Sequence, residues 1–88
     1  MNVIFGDQVA EVFDDLPLPV KRKAAGIIDL IAVFPAMFPL RRRGLMRGYR
    51  YFAAFDYLFY YSVTSSEVRI SAIIPPRRSP QNRPLMVT

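Results

Sequence analysis

The chain contains no cysteine and no histidine. Without cysteine there is no disulfide scaffold and no thiolate metal site, and the composition suits a reducing cytosol. Without histidine the commonest general base and the commonest metal ligand are both missing. Acidic residues are scarce too. Only seven carboxylates are present, and five of them (Asp7, Glu11, Asp14, Asp15 and Asp29) lie in the first third. Asp14 and Asp15 are adjacent and fall on different helical faces, so they form neither an acid–base pair nor a metal site. No metal and no cofactor is expected. Long hydrophobic runs are also absent: the longest, Ala24–Leu40, is broken by Asp29, Pro35 and Pro39, too short and too interrupted to span a bilayer. No basic n-region opens the chain, and Asp7 arrives before an apolar core could form. A cytoplasmic protein with no membrane partner is the expectation.

What is present is apolar and basic. Hydrophobic residues make up 52% of the 88 positions, enough to fold one small domain around a core. A domain of this size buries roughly 60–65% of its unfolded surface, so its stability margin is modest and a bound partner adds to it. Twelve basic residues give a net charge of +5, and nine of the twelve follow Leu40. This polarised charge attracts phosphate and acidic proteins alike, so its sign alone does not name the partner.

Along the chain, Asn2–Phe5 is a short β-type run, and Asp7 is placed to cap a helix whose apolar positions are Val9, Val12, Phe13 and Leu16. Leu16-Pro17-Leu18-Pro19 ends that helix. Val20, Ala24, Ile27, Ile28, Ile31 and Phe34 then recur at helical spacing, which predicts an amphipathic helix of about four turns ended near Pro35. Two short-linked helices of this kind form a helical hairpin. Phe38–Gly48 reads as a loop carrying Arg41, Arg42 and Arg43, followed by a strand over Tyr49–Phe55.

Two β-type segments close the pattern. Tyr57–Val63 alternates, with Tyr57, Phe59, Tyr61 and Val63 on one face; Glu67–Ile74 alternates, with Val68, Ile70, Ala72 and Ile74 on one face and Arg69 and Ser71 on the other. Thr64-Ser65-Ser66 is the turn between them, and Pro75-Pro76 ends the second. The expected architecture is α+β: an N-terminal strand and a two-helix hairpin packed on an antiparallel sheet. Residues 1–80 form the single domain and residues 81–88 an extended tail.

With this order in hand, the chain resembles the RelE/ParE toxin superfamily of bacterial type II toxin–antitoxin systems, nearest to the ParE branch. The resemblance covers roughly Asn2 to Pro80. It rests on Phe34-Pro35-Ala36-Met37, Gly48-Tyr49-Arg50, the tyrosine strand Tyr57–Val63, Val68-Arg69-Ile70, and Arg77-Arg78-Ser79-Pro80. Two departures stand out: Pro75-Pro76 where the family often has His-Gly, and Ser79 where it often has Asp. The resemblance implies a toxin that binds a target such as DNA gyrase and is neutralised in a hetero-oligomer by a cognate antitoxin. The target-binding residues are then expected to be Arg50, Tyr60, Arg69, Arg77, Arg78 and Arg83. Tyr60, opposite Phe59 and Tyr61, is the tyrosine expected to be exposed. Val9, Val12, Phe13 and Leu16 are expected to share a role between the core and the edge of an antitoxin groove; Arg41, Arg42 and Arg43 could steer an acidic antitoxin or a nucleic acid, against the plainer and favoured reading of a solvated loop.

No catalytic residue is assigned. A RelE-like ribosome-dependent mRNA endonuclease is the alternative, and a non-toxic interaction domain of the same fold is a third reading. An RNase lacking histidine needs Lys and Arg to stabilise its phosphorane and a group to accept the 2′-hydroxyl proton. Here Leu58 stands where RelE-like chains place a strand arginine, no lysine follows Lys23, and no tyrosine follows Tyr61.

Overall fold

In a computed structural model the described residues are 1–76, so Arg77, Arg78, Arg83, the expected boundary at residue 80 and the 81–88 tail lie outside them. The elements run β1 (Asn2–Phe5), α1 (Val9–Asp14), α2 (Leu18–Val33), β2 (Arg50–Ala54), β3 (Tyr57–Val63) and β4 (Glu67–Ile74). The architecture is α+β, as the sequence pattern predicts. The sheet is mixed rather than wholly antiparallel. Its order is β1-β4-β3-β2, with β2, β3 and β4 antiparallel and β1 parallel to β4 at the edge. Among the described residues no helix is long and apolar enough to cross a membrane.

Both helices cover one face of the sheet. Val20, Ala24, Ile28 and Ile31 of α2 are buried against Phe52, Ala54, Phe59, Tyr61, Val68 and Ile70 of the strands. Pro17 is the N-cap of α2 and Pro19 sits in its first turn, where a missing amide costs nothing because that turn has no intrahelical acceptor. The short α1 packs on β4, with the Phe5 and Phe13 rings 5.0 Å apart. Asp7 does not cap it. The N-cap residue is Gln8, without a side-chain bond, and the Val9 amide donates instead to the Gly6 carbonyl at 3.0 Å.

One irregularity rephases β4. Tyr60 pairs with Ala72, whereas the next residue, Tyr61, pairs with Ile70, so Ser71 is an extra residue on β4. A bulge of this kind interrupts the alternation of faces. Val68 and Ile70 point into the core as expected. Beyond the bulge it is Ile73, opposite Phe59, that packs on the core, while Ala72 and Ile74 lie on the other face opposite Tyr60 and Leu58. The expected Val68/Ile70/Ala72/Ile74 face is therefore split between the two sides of the sheet. Val63, placed on the core side of β3, is at its exposed end.

Candidate functional site

Leu40 bridges Arg50 across an antiparallel contact, and the Arg41 amide donates to Tyr49 O at 2.7 Å. The Gly48 amide returns to Arg41 O at 2.9 Å, and the Tyr51 amide to Pro39 O at 3.2 Å. The basic segment is thus a closed turn built onto the end of β2 rather than an open loop. Gly44 and Gly48 hold φ of +84° and +92°, which an L side chain adopts only under strain. Arg41, Arg42, Arg43 and Arg47 are all exposed, as is Leu45 between them. The Arg41 guanidinium stands 5.9 Å from the Tyr51 ring centroid. A surface hollow of about 410 Å³ is lined by Pro39, Leu40, Arg41, Arg42, Arg43 and Tyr51.

Arg50 behaves differently. Its Nη1 donates to Phe38 O at 2.6 Å and approaches Ala36 O at 3.5 Å. Its cross-strand partner Tyr61 donates its hydroxyl to Pro35 O at 2.8 Å. Burial pushes the Tyr61 hydroxyl above its ordinary value, opposed by the Phe38 backbone and by the Arg50 charge. The pair holds the segment after α2 against the sheet. In this arrangement the Arg50 guanidinium is committed to main-chain carbonyls on the helix-covered side, not presented to a target.

The remaining expected residues divide between the two faces. Tyr60 does lie opposite Phe59 and Tyr61, but it is only 5% exposed. The Tyr51 ring stands 5.9 Å from it on β2, and Ala72 flanks it on β4. Arg69 is exposed on that same outer face, level with Ser62 and Ile4. Of the α1 set, Leu16 belongs to the core, and Val9 and Phe13 pack against it. Only Val12 is turned to solvent, at 44% exposure. A six-residue helix has one apolar face, and folding has taken it. Since α1 sits on β4 and the arginine turn on β2, with β3 between them, the two halves of the expected antitoxin set do not share one groove.

Sequence reasoning missed Arg47, Tyr51 and an exposed apolar group at the end of α2. Arg47 lies between the two glycines that shape the turn, a spacing readable in Gly44–Gly48. Leu30, Val33, Phe34 and Met37 are each 45% to 67% exposed and follow i, i+3, i+4, i+7 spacing. That second stripe was hidden because it overlaps the core stripe in an almost continuous apolar run.

No family model matches the sequence, and no curated protein matches it. Among solved structures, the chain is similar to a chain of the archaeal RelE–RelB complex from Pyrococcus horikoshii OT3. The TM-score is 0.66 at 20% identity, covering 89% of this chain and 97% of that one. At this identity the likeness shows the fold alone, a RelE-like fold.

Proposed function

We propose that this chain is the toxin of a toxin–antitoxin pair, ParE-like in action. It binds a cytoplasmic target such as DNA gyrase without catalysis and is neutralised by a cognate antitoxin. The observation that carries the reading is the fold: two helices on one face of a β1-β4-β3-β2 sheet, superposable on nearly the whole of a chain from a RelE–RelB complex. An antitoxin segment is a natural occupant for exposed apolar surface on such a chain. Val12 and the stripe Leu30, Val33, Phe34 and Met37 offer that surface. On the target side, Arg69 and the outer sheet face belong to the proposed grip, together with Arg77, Arg78 and Arg83.

The likeness to a RelE chain keeps message cleavage as a second reading. Two observations weigh against it. Leu58 lies on the outer sheet face between Ala53 and Ile74, an apolar position where that chemistry needs a cation. Arg50 of β2 has its guanidinium on the Phe38 and Ala36 carbonyls, on the helix-covered side.

Induced expression in a bacterial host separates the readings when growth, DNA integrity and message cleavage are followed together. Arrest with DNA damage and intact message is the expected result. Early codon-dependent cuts in message would replace it with the RNase reading. No arrest from folded protein would leave an interaction domain.

A further inference from the structure

The turn between Leu40 and Tyr49 concentrates positive charge with no carboxylate near it in sequence. Between Asp29 and Asp56 the chain holds five arginines and no carboxylate. Four of the five are exposed on this one turn, closed at its base by the Arg41–Tyr49 and Gly48–Arg41 backbone bonds. Like charges packed this closely repel, and an anionic partner relieves the repulsion.

We propose that this turn is a docking surface for duplex DNA, held through backbone phosphates without base readout. An acidic protein fits less well. Protein–protein interfaces centre on apolar anchors and are depleted of charge at their core, whereas DNA interfaces are more polar and far more positive. Here four arginines surround the single fully exposed Leu45, at 101% exposure. A single strand also fits less well, because such sites stack bases on open aromatic faces. There is no aromatic residue from Arg41 to Gly48, and the adjacent Tyr51 ring already faces Arg41 and Tyr60 at 5.9 Å each. Arg41 is tied to Tyr51 and, through Nε, to Arg43 O at 3.3 Å. Arg42, Arg43 and Arg47 are therefore assigned the phosphate contacts. The inference stands apart from the toxin reading: a folded, non-toxic chain binds DNA through the same turn.

The test is fluorescence anisotropy of the full chain with a labelled duplex of arbitrary sequence, from about 50 to about 200 mM salt. Each lost phosphate contact lowers the slope of log K against log salt by about 0.9. The variant Arg42→Gln/Arg43→Gln/Arg47→Gln is expected to lose about 2.7 of that slope and at least about 30-fold in affinity at ~100 mM salt. Its circular dichroism should match the parent. Lys21→Gln/Arg22→Gln/Lys23→Gln removes the same charge from α2 and is expected to change affinity less than about threefold, which separates a site from net charge alone. Equal loss in both triple variants would overturn the proposal, as would no duplex binding at the lowest salt. Tighter binding by a glutamate-rich peptide or by the single strand would reassign the turn to that partner.

Discussion

Arg50 on β2 and Tyr61 on β3 face each other across the sheet and grip the same piece of backbone. The guanidinium takes the Phe38 and Ala36 carbonyls, and the hydroxyl takes Pro35 O. Because both hold one segment, their contributions are coupled. Tyr61→Phe leaves a carbonyl without its donor and is expected to cost about 1–2 kcal/mol; Arg50→Met removes a charged donor and costs about 1.5–3 kcal/mol. The double variant should lose at least about 0.5 kcal/mol less than the sum, because a segment freed by one change offers less to the other. Denaturant unfolding of all four proteins measures this. Strict additivity would mean the two side chains act separately.

The same tyrosine sets an alkaline limit. Its folded pKa is raised above the ordinary 10.0, chiefly by burial, against the lowering effects of the Phe38 backbone and Arg50. The unfolded chain therefore releases this proton at lower pH than the folded chain. Above about pH 10 the unfolded state binds fewer protons, so stability falls as pH rises. The contribution is complete below the unfolded value and is lost as pH climbs toward and through the folded one. Melting temperature followed from about pH 8 to about pH 11 should fall more steeply in the parent than in Tyr61→Phe. Parallel curves would show that the tyrosine is not the group responsible.

How far the sequence specifies this fold is visible in β3 and β4. Tyr57–Val63 and Glu67–Ile74 are strands over the predicted residues, because alternation and the Thr64–Ser66 turn are local signals. The bulge at Ser71 is not local. Ala72-Ile73-Ile74 is apolar throughout, so it satisfies either phase, and the choice is made by Phe59 and Tyr60 on the neighbouring strand. The parallel pairing of β1 with β4 joins residues 65 apart in sequence, Asn2 with Glu67, and leaves no trace in either segment alone. Arg50 shows the same limit at the candidate site. Its place in the expected Tyr49–Phe55 strand does not say which face it takes, and pairing with Tyr61 turns it inward. Alternation along β3 puts Tyr60 on the face opposite Phe59 and Tyr61, yet its burial depends on where β2 puts Tyr51. The exposed Arg41–Arg43 run was legible directly, because nothing distant alters it.

The bulge yields a test in which unbroken alternation and the structure give opposite answers. Ile73 packs on the core opposite Phe59, and Ile74 is 43% exposed opposite Leu58. Ile73→Asp should cost about 3 kcal/mol or prevent folding, since it brings an unpaired carboxylate to the core edge. Ile74→Asp should cost less than about 1 kcal/mol. A larger loss at Ile74 would place the bulge elsewhere.

The two glycines Gly26 and Gly48 should respond in opposite directions to the same substitution. A Cβ at either position meets nothing within 4 Å, so sterics with neighbours do not decide the outcome. Gly26 lies inside α2 on its exposed side. There alanine reduces the entropy of the unfolded chain and suits the helix, so Gly26→Ala should stabilise by up to about 1 kcal/mol. Gly48 holds φ at +92° and closes the arginine turn through its amide to Arg41 O at 2.9 Å. Alanine pays a backbone penalty of about 1–2 kcal/mol in the left-handed region, so Gly48→Ala should destabilise by that amount or spring the turn open. Thermal unfolding of both variants reads the signs. If Gly48→Ala were neutral, the turn would not be held in the conformation that presents Arg42, Arg43 and Arg47 together, and weakened duplex binding by that variant at unchanged net charge would show that the conformation matters as well as the charge.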